Sequence, residues 1–376
     1  MKVLYDHSAF SMQKYGGISR YFSEIVRNIQ EQNFAIPVFA DFVANNVHKK
    51  EIASFVIKPG PLLGFFSFYF KNNIWGRRTV IRLYNNWLSV KAMKRGGFDV
   101  FHTTYFDPYF LPYLEGRPYI VTVHDMIHEK FLKDSEEHSG LIASKKMLVE
   151  NAAKVIAISH NTKKDVVEML NIDPERVEVI YHGIDFNTGP ESTENPLLPD
   201  SYILFVGGRA GYKNFDLFIR AFAKLSKRIQ TINVVCTGLD FTDKELSLFN
   251  DLEIGNKVFH FFAKTDGQLA LLYKKAKIFV YPSLYEGFGM PILEAFTCGC
   301  PVVLSNASCF PEIAGNAAAY FDPNNADDMT DCILTVLNDE GYRAKLIDNG
   351  KGRLNDFSWK KSAEQTFRVY DMVHNR

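Results

Sequence analysis

The stretch that most constrains the fold runs from Lys277 to Gly299. It consists of the apolar run KIFVYPS, the glycine-rich segment LYEGFGM and the segment PILEAFTCG. The apolar run predicts a strand, while the proline at its start and the glycine past its end predict that the last segment is a helix. In an open parallel sheet such a strand–helix loop faces the ligand cleft, and the helix start offers unpaired N–H groups to an anion.

Two carboxylates, Glu286 and Glu294, lie eight residues apart around this loop. A pair that hydrolyses one glycosidic bond would flank that bond at about 5–10 Å, whereas here one Glu lies in a loop and the other in the first helical turn. Two separate tasks are therefore favoured, and a first-turn carboxylate suits the hydroxyls of a ribose. The alternative is that Glu294 responds to the helix dipole and Glu286 is a solvated loop residue.

The whole chain alternates strand and helix patterns, which predicts an α/β fold with doubly wound parallel sheets. The proline-rich polar segment 188–199 predicts a linker between domains 1–187 and 200–355, followed by a terminal segment 356–376. The predicted strands cover 2–7, 35–40, 52–57, 98–102, 119–124, 154–158, 177–181, 202–206, 231–237, 257–262, 277–282, 301–304 and 318–321, and the predicted helices cover 18–30, 72–95, 138–152, 160–170, 213–229, 242–252, 266–275, 291–298, 325–338 and 358–374.

Bulk composition excludes several classes of protein. The 376 residues are 47% hydrophobic, which excludes a disordered chain, and the net charge of zero gives no reason to expect nucleic acid as a partner. No apolar run reaches the roughly 18 residues of a membrane span, so we expect a cytoplasmic protein. The five cysteines, all after residue 235, fit reduced thiols, and Cys298, Cys300 and Cys309 are interpreted as buried small residues rather than metal ligands.

Glycines and cations follow two of the predicted strands. Gly16 and Gly17 come after the first strand and leave the backbone open to a ligand, although a flexible turn would look the same. Gly207-Gly208 follow the 202–206 strand, and Arg209 and Lys213 then bring a guanidinium and an ammonium to a helix start. That arrangement suits a diphosphate. The glycines match neither the dinucleotide-binding spacing nor a Walker sequence.

Two histidines lie at predicted strand ends in the first half of the chain. His102 precedes Tyr105, and His124 precedes Asp125, where a parallel sheet opens to its cleft. A lone histidine is more often a structural residue than a catalytic one. The residues alone leave both interpretations open, with His102, Tyr105 and Asp125 as candidates for the acceptor side.

The segment 52–98 carries eight basic residues and no acidic one: Lys58, Lys71, Arg77, Arg78, Arg82, Lys91, Lys94 and Arg95. Phe65, Phe66, Phe68 and Phe70 fall within it. Aromatic side chains beside charges of one sign are typical of a protein that rests on an anionic bilayer. A core segment followed by a solvated helix is the alternative.

Several motifs together resemble the retaining GT-B glycosyltransferases of family 4. The resemblance is carried by Glu286-Gly-Phe-Gly-Met-Pro-Ile-Leu-Glu294-Ala with Gly299-Cys-Pro-Val-Val, by Gly16-Gly17-Ile18, Val123-His124-Asp125 and Val179-Ile-Tyr-His-Gly-Ile-Asp185, and by Phe205-Val-Gly-Gly-Arg209 with Lys213-Asn214. These motifs span most of the chain in the order that the family shows.

The resemblance implies a GT-B fold, in which two doubly wound Rossmann-like domains face each other across a cleft and the terminal helix crosses back to the first domain. It implies transfer of a hexose from a nucleoside diphosphate sugar with retention, by a front-face path in which the departing phosphate takes the acceptor proton. The implied catalytic residues are Glu286, His124, Arg209 and Lys213, and the implied donor-binding residues are Gly16, Gly17, Arg209, Lys213, Glu286, Gly287, Phe288, Gly289, Met290 and Glu294.

The resemblance also indicates a substrate class. Tyr212-Lys213-Asn214 and Glu312 in FPEIAG are similar to the mannosyltransferase-like branch of bacterial surface-polysaccharide enzymes. We therefore expect GDP-mannose as donor and a glycan acceptor linked to polyprenyl diphosphate, at the inner face of the plasma membrane, with no cofactor and no metal. A sugar-nucleotide epimerase of the same architecture and a non-catalytic sugar-nucleotide sensor remain alternatives.

Overall fold

The computed structural model describes residues 1–12, 16–42, 44, 46–57, 77–189, 198–209 and 211–375. Two compact units are formed, one by Met1–Gly183 with Trp359–Arg376 and the other by Ile184–Ser358. Most of the predicted linker, 190–197, lies outside the described residues, as do Phe65, Phe66, Phe68 and Phe70.

The first unit contains a parallel sheet whose central strands are buried along their whole length, as expected where helices cover both faces. Its strands are β1 (Lys2–Tyr5), β2 (Ile36–Ala40), β3 (Val56–Ile57), β4 (Val100–Thr103), β5 (Tyr119–Val123), β6 (Lys154–Ala157) and β7 (Val177–Val179). In space they follow the order β3-β2-β1-β4-β5-β6-β7. Its helices up to the second unit are α1 (Ser8–Met12), α2 (Gly17–Glu31), α3 (Arg77–Arg95), α4 (Ile127–Phe131), α5 (Glu136–Asn151) and α6 (His160–Leu170).

The second unit repeats this plan. Its strands are β8 (Tyr202–Phe205), β9 (Asn233–Cys236), β10 (Val258–His260), β11 (Ile278–Tyr281), β12 (Val302–Ser305) and β13 (Ala318–Phe321), in the spatial order β10-β9-β8-β11-β12-β13. Its helices are α7 (Phe215–Arg228), α8 (Asp243–Asp251), α9 (Asp266–Lys275), α10 (Met290–Thr297), α11 (Phe310–Ala314), α12 (Ala326–Asn338) and α13 (Glu340–Arg353). Each predicted strand is present, which confirms two doubly wound α/β sheets.

The last helix, α14 (Trp359–His374), belongs to the first unit. The hydroxyl of its Tyr370 lies 2.7 Å from the hydroxyl of Tyr5 and 2.7 Å from Nδ1 of His102. Nε2 of that histidine lies 2.9 Å from Oγ1 of Thr122. A buried chain of hydrogen bonds therefore ties α14 to β1, β4 and β5.

Several features differ from the sequence prediction, which did not include the five-residue helices α1, α4 and α11. Phe186 packs edge-on against Tyr273, with ring centroids 6.3 Å apart, so the chain joins the second unit before the predicted linker begins. Helix α13 was not predicted, because three glycines interrupt its apolar pattern. One of them, Gly350, is needed for packing, since a Cβ there would lie 2.7 Å from Cδ1 of Phe296.

Candidate functional site

The strand order of the second unit reverses between β8 and β11, which are hydrogen-bonded neighbours. In doubly wound sheets, ligands bind beyond the carboxyl ends of the strands at such a switch point. The described residues that follow these two strands, 206–209, 211–214 and 282–289, therefore form the candidate site of the second unit.

Lys213 and Glu286 meet at this switch point. Nζ of Lys213 donates to Oε1 of Glu286 at 2.6 Å, and the two side chains are 16% and 10% exposed. Oγ of Ser283 donates to the same oxygen at 2.7 Å. Tyr281 also hydrogen-bonds this carboxylate, and burial together with the charge of Glu286 raises the pKa of Tyr281 well above its usual value. The carboxylate is therefore held in one orientation beside a partly exposed ammonium.

The backbone around Lys213 is fixed by the loop that carries Glu286. The N–H of Leu284 donates to the carbonyl of Tyr212 at 2.8 Å. Asn214 adopts a left-handed conformation, and its side-chain amide donates to the carbonyls of Pro282 and Pro323 at 3.2 and 2.7 Å. These contacts fix the backbone of Lys213 relative to the loop that carries Glu286.

Ser308 and Cys309, the two residues before α11, hydrogen-bond the backbone of the glycine-rich loop. Oγ of Ser308 donates to the carbonyl of Glu286 at 2.7 Å and accepts from its N–H at 3.2 Å. Sγ of Cys309 contacts the carbonyls of Glu286 and Phe288, each at 3.2 Å. Gly289 has a φ of 93°, and a Cβ there would lie 3.0 Å from Cδ1 of Ile292. A glycine is required at that position.

The other members of the predicted loop play different parts. Phe288 is buried and packs edge-on against Phe357, with ring centroids 5.7 Å apart. Gly287 is buried and Met290 is half-buried at the first position of α10. Glu294 lies beyond the first turn of α10, in which the sequence had predicted it, and its Oε2 accepts a hydrogen bond from the Tyr273 hydroxyl at 3.1 Å. Burial and this carboxylate raise the pKa of Tyr273.

Arg209 binds a different carboxylate from the one that binds Lys213. Its Nε donates to Oε1 of Glu245 at 2.6 Å, and its Nη2 donates to the carbonyls of Leu239 and Asp240, both at 2.7 Å. The guanidinium also lies 4.9 Å from the ring centroid of Phe241. Arg209 thus hydrogen-bonds the loop after β9, a role that was not predicted because its partner Glu245 lies far along the chain.

In the first unit, His124 follows β5 and is 8% exposed. Within the described residues, its buried Nε2 makes no hydrogen bond. The ring packs edge-on against Tyr21 and lies 6.0 Å from the ring of His182. Burial lowers the pKa of His124 to about 4, so the imidazole is neutral near pH 7. A buried neutral imidazole with an unused nitrogen suits a hydrogen bond to a ligand hydroxyl.

His102 is not an acceptor-side residue. Its side chain is fully buried, and both ring nitrogens are used in the hydrogen-bond chain that reaches Tyr370. Burial lowers its pKa to about 3. Its neighbour Tyr105 is half-buried, and burial followed by the charge of Asp125 raises its pKa. The Asp125 carboxylate accepts a hydrogen bond from the N–H of Ile127, the first residue of α4, at 3.0 Å.

Gly16 and Gly17 lie at the start of α2. Gly16 is extended, with a φ of −176°, a conformation open to any residue. A Cβ on Gly17 would meet no atom within 4 Å. Neither glycine is demanded by its backbone conformation, and open space lies beside Gly17. Their predicted role in donor binding stays a prediction.

No group of three or more His, Cys, Asp or Glu side chains in the described part of the chain is arranged to hold a metal ion. Cys300 and Cys309 are buried, and burial raises the pKa of both thiols. Cys298 is half-buried at the end of α10. Metal independence of the reaction stays a prediction that chelation tests.

One exposed face of α3 combines apolar and basic side chains. Val80, Leu83 and Trp87 are 57%, 60% and 54% exposed, and their spacing places them along one side of the helix. Arg82 and Lys91 are exposed as well, and the ammonium of Lys91 lies 5.1 Å from the ring centroid of Trp87. Across the residues described, no helix is both long and apolar enough to span a bilayer.

Comparisons with known proteins agree with this architecture. The family model described as Glycosyltransferase Family 4 matches residues 15–188, and the model described as Glycosyl transferases group 1 matches residues 191–353. The two matches cover the two doubly wound sheets in turn.

Similar proteins include O-antigen mannosyltransferases. O-antigen chain mannosyltransferase RfbU of Salmonella typhimurium is 29% identical over 69% of this chain and 71% of its own length. O-antigen chain mannosyltransferase B of Escherichia coli is 28% identical over 60% of this chain and 62% of its own length. Serotype-specific mannosyltransferase WbdA of Escherichia coli is 28% identical over 65% of this chain, a match that spans only 32% of that longer protein.

Solved structures show the same fold. Sucrose-phosphate synthase of Thermosynechococcus elongatus superposes with a TM-score of 0.74 at 18% identity, over 99% of both chains. Anabaena HepE in complex with UDP and glucose gives a TM-score of 0.72 at 18% identity, again over 99% of both chains. These similarities confirm the GT-B fold, and together with the two family models they identify the chain as a family 4 glycosyltransferase domain followed by a group 1 glycosyltransferase domain.

Proposed function

We propose that the protein is a retaining glycosyltransferase that moves a hexose, with mannose favoured, from a nucleoside diphosphate sugar to a glycan acceptor. The observation that carries the proposal is the ion pair of Lys213 with Glu286 at the switch point of the second unit, where N–H groups of a helix start are close in sequence. An ammonium, a carboxylate and an anion-binding helix start are the groups that a sugar diphosphate needs.

Departure of the nucleoside diphosphate is the step these groups would assist. Charge grows on the leaving phosphate as the sugar becomes oxocarbenium-like, and fixed donors stabilise charge that appears only in the transition state. Lys213 and the amides of Gly287–Gly289 are the proposed donors, and Arg209 is proposed to add its guanidinium. No side chain acts as a nucleophile, because the departing phosphate oxygen accepts the acceptor proton as the new bond forms on the same face.

The remaining residues would orient the donor. Glu294 is proposed to accept hydrogen bonds from the ribose hydroxyls, and Glu286 to bind the transferred sugar. His124, neutral near pH 7, is proposed to contact that sugar through its Nε2. Gly16 and Gly17 are proposed to let the backbone approach the donor. No metal is required in this scheme, so chelation with EDTA is expected to leave the rate of transfer unchanged.

GDP-mannose is the favoured donor because the similar proteins named above are mannosyltransferases. Their names also refer to the O-antigen, which supports a lipid-linked acceptor of the polyprenyl diphosphate type. An acceptor of that kind lies at the cytoplasmic face of a bilayer, and the protein would have to work there.

The outer face of α3 is proposed to rest on an anionic bilayer. Trp87 and Leu83 would enter the headgroup region while Lys91 and Lys94, on the same side of the helix, face lipid phosphates. Co-sedimentation with anionic vesicles is expected to decrease for the pair Lys91→Glu and Lys94→Glu. The matched pair Lys345→Glu and Lys351→Glu alters two exposed lysines of α13 and is expected to bind vesicles normally. Equal binding to neutral vesicles would contradict the proposal.

The function is tested by a panel of nucleoside diphosphate sugars, scored first by thermal shift and then by product analysis. A ligand that binds only the folded protein raises its melting temperature. GDP-mannose is expected to give the largest shift, and a glycan acceptor is expected to gain one mannose in the α configuration of the donor. An altered sugar nucleotide without a new glycosidic bond would indicate an epimerase, and binding without any product would indicate a sensor.

A further inference from the structure

A buried ion pair lies behind the turn that follows β5. The Lys145 side chain, on α5, is 1% exposed, and its Nζ donates to Oε2 of Glu129 at 2.9 Å. The same Nζ donates to the backbone carbonyl of Asp125 at 3.1 Å. The ring centroid of Phe106 lies 5.1 Å from this ammonium. Lys145 is thus in direct contact with the turn that begins at His124.

A contribution to stability alone does not explain the ion pair of Lys145 with Glu129 well. Removing two charges from water costs several kcal/mol per ion, and apolar replacements of buried pairs are often neutral or stabilising. Oε1 of Glu129 is buried and makes no hydrogen bond with the described residues, so the pair is not fully satisfied. Lys154 offers a contrast on the same sheet. It donates to Glu178 at 2.8 Å and to the carbonyl of Glu175 at 2.6 Å, but its carboxylate partner is 39% exposed.

We propose that Lys145 is a positioning residue that fixes the His124–Asp125 turn through the Asp125 carbonyl and keeps the His124 imidazole in its neutral, hydrogen-bonding form. The first part follows from the contact itself, since the Lys145 ammonium donates a hydrogen bond to the carbonyl of Asp125, the residue after His124. The second part follows because the Lys145 ammonium, a cation near the buried His124 imidazole, disfavours its protonation. The importance of this arrangement for sugar transfer rests on the proposed function, whereas the arrangement itself does not.

The groups around His124 decide the sign of the effect. Tyr21 of α2, His182 after β7 and His102 of β4 surround the ring, and none of them is a fixed charge near pH 7. Burial is the largest cause of the lowered pKa of His124; the charge of Asp125 opposes it and that of Lys145 adds to it. Lys145 and Asp125 therefore act on the imidazole in opposite directions.

Histidine titration by NMR tests the proposal on the full-length protein, with His124→Gln used to assign the resonance. Lys145→Met leaves the Glu129 carboxylate unbalanced, so the titration midpoint of His124 is expected to rise by about one pH unit or more. Glu129→Gln leaves the Lys145 ammonium without its counter-ion and is expected to lower the titration midpoint of His124. The double variant Lys145→Met with Glu129→Gln has neither charge and serves as the test if Lys145→Met folds poorly. Its His124 midpoint is expected to lie between those of the two single variants.

Two controls separate this role from general packing. Lys145→Arg keeps the charge and is expected to restore the titration of the wild-type protein, while Lys154→Met removes a comparable lysine from a distant strand and is expected to leave it unchanged. A His124 midpoint that is the same in wild type, Lys145→Met and Glu129→Gln would overturn the proposal.

Transfer assays then separate this proposal from the proposed function. Lys145→Met is expected to lower kcat about tenfold or more, with little change in the KM for the donor. If the His124 midpoint moves while kcat does not, the positioning role stands and the proposed role of His124 in sugar transfer fails. If neither the midpoint nor kcat moves, the positioning role is wrong.

Discussion

The six strands of the second sheet follow the same spatial order as the first six strands of the first sheet, yet the switch points of the two sheets differ in chemistry. In the first unit, Asp6 after β1 accepts from the N–H and the hydroxyl of Thr104 at 2.7 and 2.6 Å and is 1% exposed. In the second unit, Lys213 and Glu286 bridge the same topological position with opposite charges that remain partly exposed. The same topology therefore gives a buried structural contact in the first unit and a charged, partly exposed site in the second.

The sharpest test of this contrast is Lys213→Met. Removing one fixed donor to a developing oxyanion typically costs about 10²–10³-fold in rate, so kcat/KM for transfer is expected to fall by that factor. Chemical denaturation is expected to show a smaller loss of stability than for Asp6→Ala, because Ser283 and Tyr281 still hydrogen-bond the Glu286 carboxylate. A loss of stability with normal donor binding would reverse the roles assigned to the two switch points.

Asp6→Ala is the counterpart in the first unit. It removes the four hydrogen bonds that the buried carboxylate accepts from the N–H and hydroxyl of Thr104 and from the hydroxyls of Ser8 and Tyr109. The Thr104 N–H is left without its acceptor, so the free energy of unfolding is expected to fall by about 3 kcal/mol. Urea denaturation measures this loss. Nucleotide affinity of the folded protein, measured by calorimetry, is expected to stay unchanged.

Glu294→Ala is expected to weaken binding of GDP and UDP by about 1.5–3 kcal/mol, the contribution of a hydrogen bond to a charged group. Tyr273→Phe is the matched control, because it removes the hydroxyl that contacts this carboxylate and keeps the carboxylate itself. Calorimetry that finds equal nucleotide affinities for wild type and Glu294→Ala would remove Glu294 from the donor site.

Acid is expected to act on the first unit. All the histidines of the described chain whose pKa is lowered belong to it, namely His7, His102, His124, His128 and His182. Burial lowers the pKa of His102 from 6.5 to about 3, so below pH 6.5 the unfolded chain binds a proton that the folded unit does not. The neutral form contributes stability above pH 6.5, and that contribution is lost as the pH falls.

The expected slope is up to about 1.4 kcal/mol per pH unit for each buried histidine between pH 6.5 and 4. Chemical denaturation across this range measures it. His102→Gln is expected to flatten the dependence, whereas His374→Gln, which changes an exposed residue, is expected to preserve it. Stability that does not change with pH over this window would contradict the assignment.

The smallest expected effect concerns Arg209, whose guanidinium is held by Glu245. Glu245→Gln keeps the side chain that caps α8 but removes the charge that competes for Arg209. If Arg209 binds the diphosphate, donor affinity is expected to rise by about two- to tenfold, the size of a modest ion-pair contribution. Unchanged affinity, with a lower melting temperature, would make Arg209 a purely structural residue.

Much of the fold was predictable because buried parallel strands are short, continuous apolar runs with β-branched residues. Helix α13 was missed because its support is tertiary: Gly350 lets Phe296 approach, and no local pattern signals that contact. The terminal helix was predicted as an element, but its fixation through Tyr370 depends on residues from the other end of the chain.

The candidate site was predictable in part for the same reason. The sequence placed Lys213 and Glu286 at the ends of two strands, but their direct contact depends on strand order, which separates sequence neighbours and joins distant loops. The partners of Arg209 and the support of the glycine-rich loop by Ser308 and Cys309 were missed, because each arises between segments far apart in the chain.

The position of α14 has a consequence for how the protein is made. A ribosome releases residues 1–183 first, yet the helix that closes their core through Tyr370 and His102 is synthesised last. The second unit, Ile184–Ser358, is continuous in sequence and has its whole chain available earlier. The half of the protein that is begun first is therefore completed last, and until then Tyr5 and His102 lack their shared partner. Premature termination before Trp359 would leave a finished second unit attached to an open first one.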